Sequence, residues 1–187
     1  MDAIEALTSR SSAKAYGDMA PTRDHLDIIL QAAVRAPDHG RLRPWRFMLI
    51  EGNHRKKFGD ILAASALRRI PNLSAGDLQR ERDKARRAPL IIVVVCRIVP
   101  GTKVPAIEQL MAVGAATQNI LLGLHNFGYA AAWKTGEAAY DPEVKKSLGL
   151  NSDDHIVAFV YAGGGLGALF APGKAAVLED AMLKFPG

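Results

Sequence analysis

The chain has 187 residues, of which 49% are hydrophobic and 23% charged. These proportions are ordinary for a globular domain and argue against a disordered chain. Cys96 is the only cysteine, so an intrachain disulfide is excluded and a buried core thiol is expected. The net charge of +5 fits an anionic ligand without identifying one. Because no linker or internal repeat interrupts the sequence, we predict one domain over residues 1–187.

Nothing in the sequence predicts export or insertion into a membrane. The first residues include Asp2 and Glu5, whereas a secretory signal would begin with basic residues. The longest apolar runs fall far short of the ~20 residues that cross a bilayer. The sequence therefore predicts a cytoplasmic protein with no membrane partner.

The first half of the chain predicts four helices and one strand. The predicted helices are 2–9, a helix that begins after Thr22, 54–69 and 75–88. Thr22 is the expected N-cap of the second helix, and Pro37 is expected to end it because the residue before a proline avoids helical geometry. Residues 45–50 alternate between apolar and polar side chains and predict a strand.

The second half contains the clearest strand signal. Residues 90–96 form an apolar, β-branched run that predicts a central strand buried on both faces. Residues 105–126 predict a helix that is apolar almost all round, so it must be covered on every side, by this chain or by a partner subunit. Further strands are expected at 128–133 and 155–161, with a short helix after Asp141. About four strands separated by helices favour an α/β or α+β fold with a covered sheet.

Three polar segments carry more hydrogen-bond donors than connecting loops need. They are Arg10-Ser11-Ser12-Ala13-Lys14, residues 35–46 with Arg35, His39, Arg41, Arg43 and Arg46, and Trp133-Lys134-Thr135-Gly136. Guanidinium, ammonium and hydroxyl groups together suit a phosphorylated cofactor. Structural explanations stay open for each segment: a basic helix end with a serine turn, a solvated loop or nucleic-acid patch, and a core tryptophan before a loop.

Two glycine-containing segments are weaker candidates for a ligand site. Residues 163–167 lack the Lys-Ser or Lys-Thr pair of a P-loop, and we interpret them as a flexible loop. The segment Gly123-Leu124-His125-Asn126-Phe127-Gly128 is a candidate for NAD(P)H binding, although Asn126 and Gly128 equally mark the end of a helix. The last 20 residues, 168–187, predict weak structure or a segment lying on the surface.

No side-chain set in the sequence is typical of a self-sufficient catalyst. Cys–His metal spacing, a Gly-x-Ser-x-Gly elbow and an acid/base pair of carboxylates are all missing from the sequence. We therefore expect no metal site and no catalytic side chain, with a bound cofactor carrying the chemistry.

The polar segments resemble motifs of the FMN-dependent nitroreductase family. Residues 10–16 are similar to its Arg-x-Ser-x-Lys/Arg motif, and residues 36–47 to its Ser/Ala-Pro-Ser-x-x-Asn-x-Gln-Pro-Trp loop. The string Arg35-Ala36-Pro37-Asp38-His39 is closer to a small YdjA-like subgroup. Residues 128–136 resemble that subgroup's Gly-Phe-Gly-x-x-Trp-Arg-Ser/Thr-Gly motif. The resemblance extends from residue 1 to about residue 164.

This resemblance implies an α+β sandwich in which a mixed, mostly antiparallel sheet is wrapped by helices. It also implies an intertwined homodimer with one FMN at each of two interface sites. The residues that it assigns to FMN are Arg10, Ser11 and Ser12 at the phosphate and ribityl chain, Lys14 at the pyrimidine edge, Arg35 and His39 from the other subunit, and Trp133, Lys134 and Thr135 beside the ring. The sequence departs from the family where Arg41 and Arg43 replace the Asn and Gln of the loop. Only Lys174 is a candidate for the basic residues that relatives carry near the C-terminus.

The function implied by the resemblance is transfer of hydride from NAD(P)H through FMN to a nitroaromatic or quinone acceptor, with ping-pong kinetics. One alternative is a flavin enzyme of the same fold that acts on a specific metabolite, as a dehydrogenase or reductive dehalogenase. Another is a non-catalytic flavin- or nucleic-acid-binding protein. We expect no nucleic-acid partner, because outside the motifs the basic residues are interleaved with acidic ones. The sequence leaves open the physiological acceptor and the choice between NADH and NADPH.

Overall fold

The computed structural model describes residues 2–165 and 181–182. The helices in the described part are α1 (Ala3–Ser9), α2 (Arg23–Ala33), α3 (His54–Arg69), α4 (Ala75–Asp83), α5 (Ala106–Asn126) and α6 (Pro142–Ser147). The strands are β1 (Trp45–Glu51), β2 (Leu90–Arg97), β3 (Tyr129–Lys134) and β4 (Asp154–Gly164). Within these residues no helix is both long and apolar enough to span a membrane.

The four strands form one sheet in the order β1-β2-β4-β3, and every pair is antiparallel. Helices separate all strands that follow one another along the chain. The predicted α+β sandwich, a sheet wrapped by helices, is confirmed. A parallel pair, which a mixed sheet would add, does not occur between residues 2 and 165.

Strand β2 is an inner strand of the sheet, as predicted. Successive side chains of a strand point to opposite faces, and here both faces are apolar and fully buried. Ile92 and Val94 belong to the core under α2 and α5, whereas Ile91 and Val93 belong to the core under α3. Cys96 lies in the first of these cores, and its burial, with a smaller effect of nearby Asp154, raises the pKa of the thiol to about 11. The prediction of a core cysteine is confirmed.

Helices α1, α2 and α5 cover one face of the sheet. Helices α2 and α5 approach closely at Gly123, where an added Cβ would lie 3.0 Å from Cγ1 of Ile29. The inner side of α5 is buried by this chain, but Ile107 and Met111 on the same helix are 61% and 60% exposed. The protomer therefore covers only part of the apolar surface that the sequence gives to α5.

Helices α3, α4 and α6 lie on the other face. The ring of Phe58 on α3 packs 5.4 Å from that of Phe159 on β4. Helix α4 crosses α3 at Gly59. A Cβ atom added to Gly59 would lie only 2.6 Å from the carbonyl oxygen of Arg82. A larger residue at position 59 would push the two helices apart, so this glycine sets how closely α4 and the turn after it approach the sheet.

Two sequence predictions about local structure are wrong. The predicted helix over residues 75–88 ends at Asp83 and is followed by a 3-10 turn over Lys84–Arg86. Pro89 disfavours helical geometry at the residue before it, so the helix does not extend to residue 88. Gly163 and Gly164 are not a flexible loop but the end of β4. The lack of a side chain at Gly163 leaves room for the backbone of Gly17, which pairs with Gly164 through hydrogen bonds of 2.8 and 3.2 Å. The prediction for residues 168–187 lies outside the described residues except at 181–182, and Lys174 lies outside them as well.

Candidate cofactor and substrate site

A cavity of about 480 Å³ opens on the α3–α4 side of the sheet. It lies between the segment after α1, the 3-10 turn after α4, the end of β3 and the middle of β4. Lys14, Lys134 and Thr135 line it. The structure therefore brings together three of the residues that the motifs assign to FMN, from positions about 120 residues apart in the sequence.

The segment that carries Lys14 is held against the sheet by its backbone. The N–H of Ala13 donates to the carbonyl of Ala131 on β3 at 2.9 Å, and Gly17 pairs with Gly164 at the end of β4. These contacts hold the segment beside β3 and the end of β4. Lys14 lines the cavity together with Lys134, the last residue of β3. Both ammonium groups therefore border the same space.

Two tyrosines form part of the cavity wall. The rings of Tyr16 and Tyr161 lie 6.2 Å apart. Burial raises the pKa of Tyr161 to about 12 and also raises that of Tyr16, while the positive charge of Arg87 opposes both shifts. Both phenols are therefore neutral at physiological pH and can donate a hydrogen bond to a ligand.

The α3–α4 side contributes cations that sequence reasoning missed. Arg69, Lys84 and Arg87 line the cavity. The Nζ of Lys84 donates to both carboxylate oxygens of Glu81, at 2.5 and 2.6 Å. The sequence shows these residues only as part of two basic helices, and their common orientation follows from the packing of α4 across α3. No local sequence signal separates them from neighbouring arginines that point elsewhere.

A second recess holds the first residues of the N-terminal motif. Arg10 and Ser11 border it together with His125 and Tyr129. Ser9 Oγ and His125 Nε2 are joined by a hydrogen bond of 2.9 Å, and burial followed by the charge of Arg10 lowers the pKa of His125. Arg10 and Lys14 are four residues apart, which separates their Cα atoms by at most about 14 Å. In the protomer the recess has no free volume for a ligand, and it lies on the α5 side of the sheet, whereas Lys14 lines the cavity on the other side. The N-terminal motif therefore runs from one face of the sheet to the other, with exposed Ser12 between Arg10 and Lys14.

The side chain of Trp133 does not reach the cavity. Its Nε1 donates to the carbonyl of Val157 at 3.0 Å, and its ring faces Gly114 of α5. Neighbouring residues of a strand point to opposite faces, so Trp133 and Lys134 cannot both face the cavity. The predicted contact of this indole with a ligand between Lys14 and Lys134 is not present in the protomer.

Arg35 and His39 also lie away from the cavity. The Nδ1 of His39 is hydrogen-bonded to Glu108 Oε2 at 2.6 Å, near the start of α5. His125, beside Arg10, lies near the end of this 21-residue helix, roughly 25 Å from Glu108 at 1.5 Å per residue. Arg35 borders a groove between α1, α2 and α5. Within one protomer, His39 and Arg10 therefore cannot hold the same small ligand, and the role predicted for His39 requires a second subunit.

The loop with the arginine replacements has a defined conformation. Arg41 and Arg43 adopt left-handed backbone angles, with φ of 53° and 50°. Such angles are strained for residues other than glycine. The carboxylate of Asp38 accepts the N–H of Arg43 at 2.7 Å, and Arg46 Nη1 donates to the carbonyl of Arg43 at 2.9 Å. The loop thus holds the exposed Arg41 and Arg43 in place.

The segment over residues 123–128 is largely engaged in packing. Leu124 has no exposed surface, and the ring of Phe127 stacks on that of His25 at 4.0 Å. None of the six residues lines the cavity of Lys14 and Lys134. NAD(P)H binding by this segment stays a prediction, because the structure gives it no direct support. In the described part of the chain, no three His, Cys, Asp or Glu side chains are grouped as a metal site requires.

Comparison with known proteins gives a consistent result. The model of the nitroreductase family matches residues 7–164. The Escherichia coli (strain K12) protein named "Putative NAD(P)H nitroreductase YdjA" is 38% identical over 167 residues, which is 87% of this chain and 88% of that protein.

Solved structures share the fold. A nitroreductase-like family protein from Bacillus cereus superimposes with a TM-score of 0.84 and 26% identity, covering 100% of this chain and 97% of that one. The FMN and NADPH-dependent nitroreductase NfnB from Sphigopyxis sp. strain HMH superimposes with a TM-score of 0.80 and 21% identity, covering 100% of both chains. The motifs, the fold and the matched length agree, and the chain belongs to the nitroreductase family.

Proposed function

We propose that this protein, as a single domain, is an FMN-dependent NAD(P)H oxidoreductase that reduces nitroaromatic or quinone acceptors. The observation that carries the proposal is the cavity lined by Lys14, Lys134 and Thr135, at the end of the segment that begins with Arg10 and Ser11. The names of the relatives support it, since one is an NAD(P)H nitroreductase by name and another is described as FMN- and NADPH-dependent.

The donor set of the two spaces fits FMN. Arg10, Ser11 and Ser12 offer guanidinium, hydroxyl and N–H donors, the groups that bind phosphate. Lys14, four residues further along this motif, and Lys134 offer positive charge at the cavity, and this charge favours electron density on a ring held between them. Bound FMN supplies hydride chemistry, and the role of these residues is to bind and orient it.

We further propose that the active form is a homodimer. Ile107 and Met111 on α5, and Ile4 and Leu7 on α1, are exposed on the side of the sheet opposite to the cavity. A second copy packed there would bury this apolar surface. It would also bring Arg35 and His39 of one subunit toward the Arg10 recess of the other, which lies on this same face beside α5. The unpaired buried thiol of Cys96 is compatible with a reducing cytoplasm, where we place the enzyme.

Retention of FMN by Arg10→Ala tests the assignment of the phosphate site. Loss of one charge-assisted interaction should raise the Kd of FMN about 10- to 100-fold. The measurement is fluorescence of released flavin after dialysis. Arg23→Ala is the matched control, because Arg23 is exposed on α2 and forms an ion pair with Asp27. Full flavin occupancy of Arg10→Ala would show that the phosphate lies elsewhere.

A further inference from the structure

We infer that the cavity selects an electron acceptor that carries an anionic group, such as an aromatic carboxylate. This inference rests on the proposed function and names its substrate class. In the two-electron step, a nitro group and one NAD(P)H take up one proton and give a nitroso group, NAD(P)⁺ and water. The carboxylate takes no part in this chemistry and acts only in recognition.

The charge balance of the cavity carries the inference. Its lining contains the two carboxylates Glu81 and Glu137, and five cations: Lys14, Arg69, Lys84, Arg87 and Lys134. Glu81 is occupied by Lys84 through both oxygens. Among the described residues, no ion pair joins any of the other four cations to a carboxylate. Four cations around one enclosed space repel each other, and an anionic ligand removes that repulsion.

Two of these cations remain after the flavin has been assigned. Lys14 and Lys134 belong to the motifs that fit FMN, and the N-terminal motif also supplies Arg10, Ser11 and Ser12 for its phosphate. Arg69 and Arg87 come from the other wall, formed by the end of α3 and the turn after α4. Arg87 lines the cavity together with Tyr16 and Tyr161, and its positive charge opposes the rise in the pKa of both phenols.

The remaining wall suits a flat apolar ring. Leu62 and Phe159 are buried side chains of the second core that also line the cavity. An aromatic ring packed on them would gain apolar contact while its substituent faced the α3–α4 wall. A guanidinium binds a carboxylate through two parallel hydrogen bonds, a geometry that neither lysine can provide. An aryl carboxylate therefore matches the apolar wall and the two arginines together.

The 2′-phosphate of NADPH carries the same kind of charge and is the competing source of the anion. The two half-reactions separate these sources, because the nucleotide takes part only in reduction of the enzyme and the acceptor only in its reoxidation. Each half-reaction can be followed by the visible absorption of the flavin under anaerobic conditions.

The decisive variant is Arg87→Gln, with Arg86→Gln as its control. Arg86 is the adjacent residue and lines a different surface recess beside Lys56 and Asp60, so both variants lose the same charge from the same turn. Photochemically reduced, FMN-loaded protein is mixed with 4-nitrobenzoate or with its neutral analogue 4-nitrobenzamide. We expect Arg87→Gln to reduce the reoxidation rate constant about tenfold or more for 4-nitrobenzoate only, the loss typical of one hydrogen bond to a charged group. Arg69→Gln should act in the same direction, and Arg86→Gln should match the wild type.

Three results would overturn the inference. The first is an equal decrease of the reoxidation rate constant of Arg87→Gln with both acceptors, and the second is no decrease with either. The third is a decrease confined to the reduction of the flavin by NADPH, with reduction by NADH unchanged. The last result would assign Arg87 to the nucleotide phosphate. Calorimetric titration with benzoate and benzamide gives a second readout that needs no turnover: benzoate should bind more tightly than benzamide to the wild type and lose that advantage in Arg87→Gln. A protein that retains no FMN would contradict the proposed function, whereas the benzoate titration would still decide whether the cavity binds a carboxylate.

Discussion

The two faces of the central sheet carry opposite kinds of surface. On the face of α1, α2 and α5, large aliphatic side chains remain exposed. They are Ile4, Leu7, Ile28, Val34, Ile107 and Met111. On the face of α3 and α4, the outer layer is cationic, and a cavity lined by five Lys and Arg residues lies between the helices and the sheet. Both layers rest on the same apolar strand β2.

The difference therefore arises in the helices and not in the sheet. Helix α5 has apolar residues on its outer side as well as its inner one, which a single protomer cannot cover. Helix α4 and the turn that follows it have no such exposed apolar residues. They place basic residues near the end of β3 instead. An uncovered apolar face favours association with another chain, and a ring of unpaired cations favours an anionic ligand. In our proposal one face builds the dimer and the other holds the substrate.

The largest effect is expected from a charge on the apolar face. Met111→Asp should weaken dimerisation by roughly 10³-fold, because an unpaired charge would be buried between subunits. FMN should be lost at the same time if the second subunit completes the site. Light scattering coupled to size-exclusion chromatography measures the first effect and flavin absorbance the second.

Leu67→Asp is the control for this variant. Leu67 is also an exposed aliphatic residue, but it lies on α3, on the cavity side of the sheet. It should leave the oligomeric state unchanged. Dissociation by both variants to the same degree would remove the distinction between the faces.

The next effect concerns the backbone contact that holds the N-terminal motif on the sheet. Gly163→Ala places a Cβ 2.5 Å from the carbonyl oxygen of Gly17 and 2.7 Å from Cδ of Pro89. Such overpacking should cost about 1–3 kcal/mol of unfolding free energy. It should also raise the Kd of FMN, because the segment with Arg10 and Lys14 would shift. Urea denaturation and flavin titration measure the two effects.

Gly164→Ala is the matched control, since its nearest neighbouring atom would be 3.7 Å away, an ordinary contact distance. A stable Gly163→Ala variant with unchanged FMN affinity would mean that the close approach to Gly17 does not position the motif.

The smallest effect is a change in the pH dependence of stability that arises at His125, beside Arg10. Burial, and then the charge of Arg10, lowers the pKa of His125 in the folded protein. The unfolded chain therefore binds more protons than the folded one near pH 6, and the contribution of His125 to stability is lost as the pH falls below its unfolded pKa of about 6.5. The decrease in Tm between pH 7.5 and 5.5 should be slightly smaller in His125→Gln than in the wild type. An identical decrease in both would contradict this assignment.

The elements of the fold were largely predictable because their signals are local. The cap of α2 at Thr22 and that of α6 at Asp141 both accept the expected backbone N–H. The β-branched run of β2 predicted a strand with two buried faces, which is what the structure has. Gly163 was misinterpreted because the reason for a glycine there is the backbone of Gly17, which is distant in sequence.

The site was predictable only where motifs name its residues. Lys14 and Lys134, which the resemblance assigns to FMN, line the same cavity, and their contact with the cofactor stays a prediction. Arg69 and Arg87 were missed because nothing local distinguishes them from Arg68, which pairs with Asp141, or from Arg86. Their role depends on the way α4 packs across α3, and a motif carries no information about that packing.

The central claim is that this chain holds FMN and accepts hydride from a nicotinamide nucleotide. The most direct test is the visible absorption spectrum of the purified protein, reconstituted with FMN and recorded before and after anaerobic addition of NADPH or NADH. We predict protein-bound flavin bands that bleach with at least one of the two nucleotides and return when 4-nitrobenzoate is added. Protein that binds no FMN after reconstitution, or bound flavin that neither nucleotide reduces, would contradict the claim.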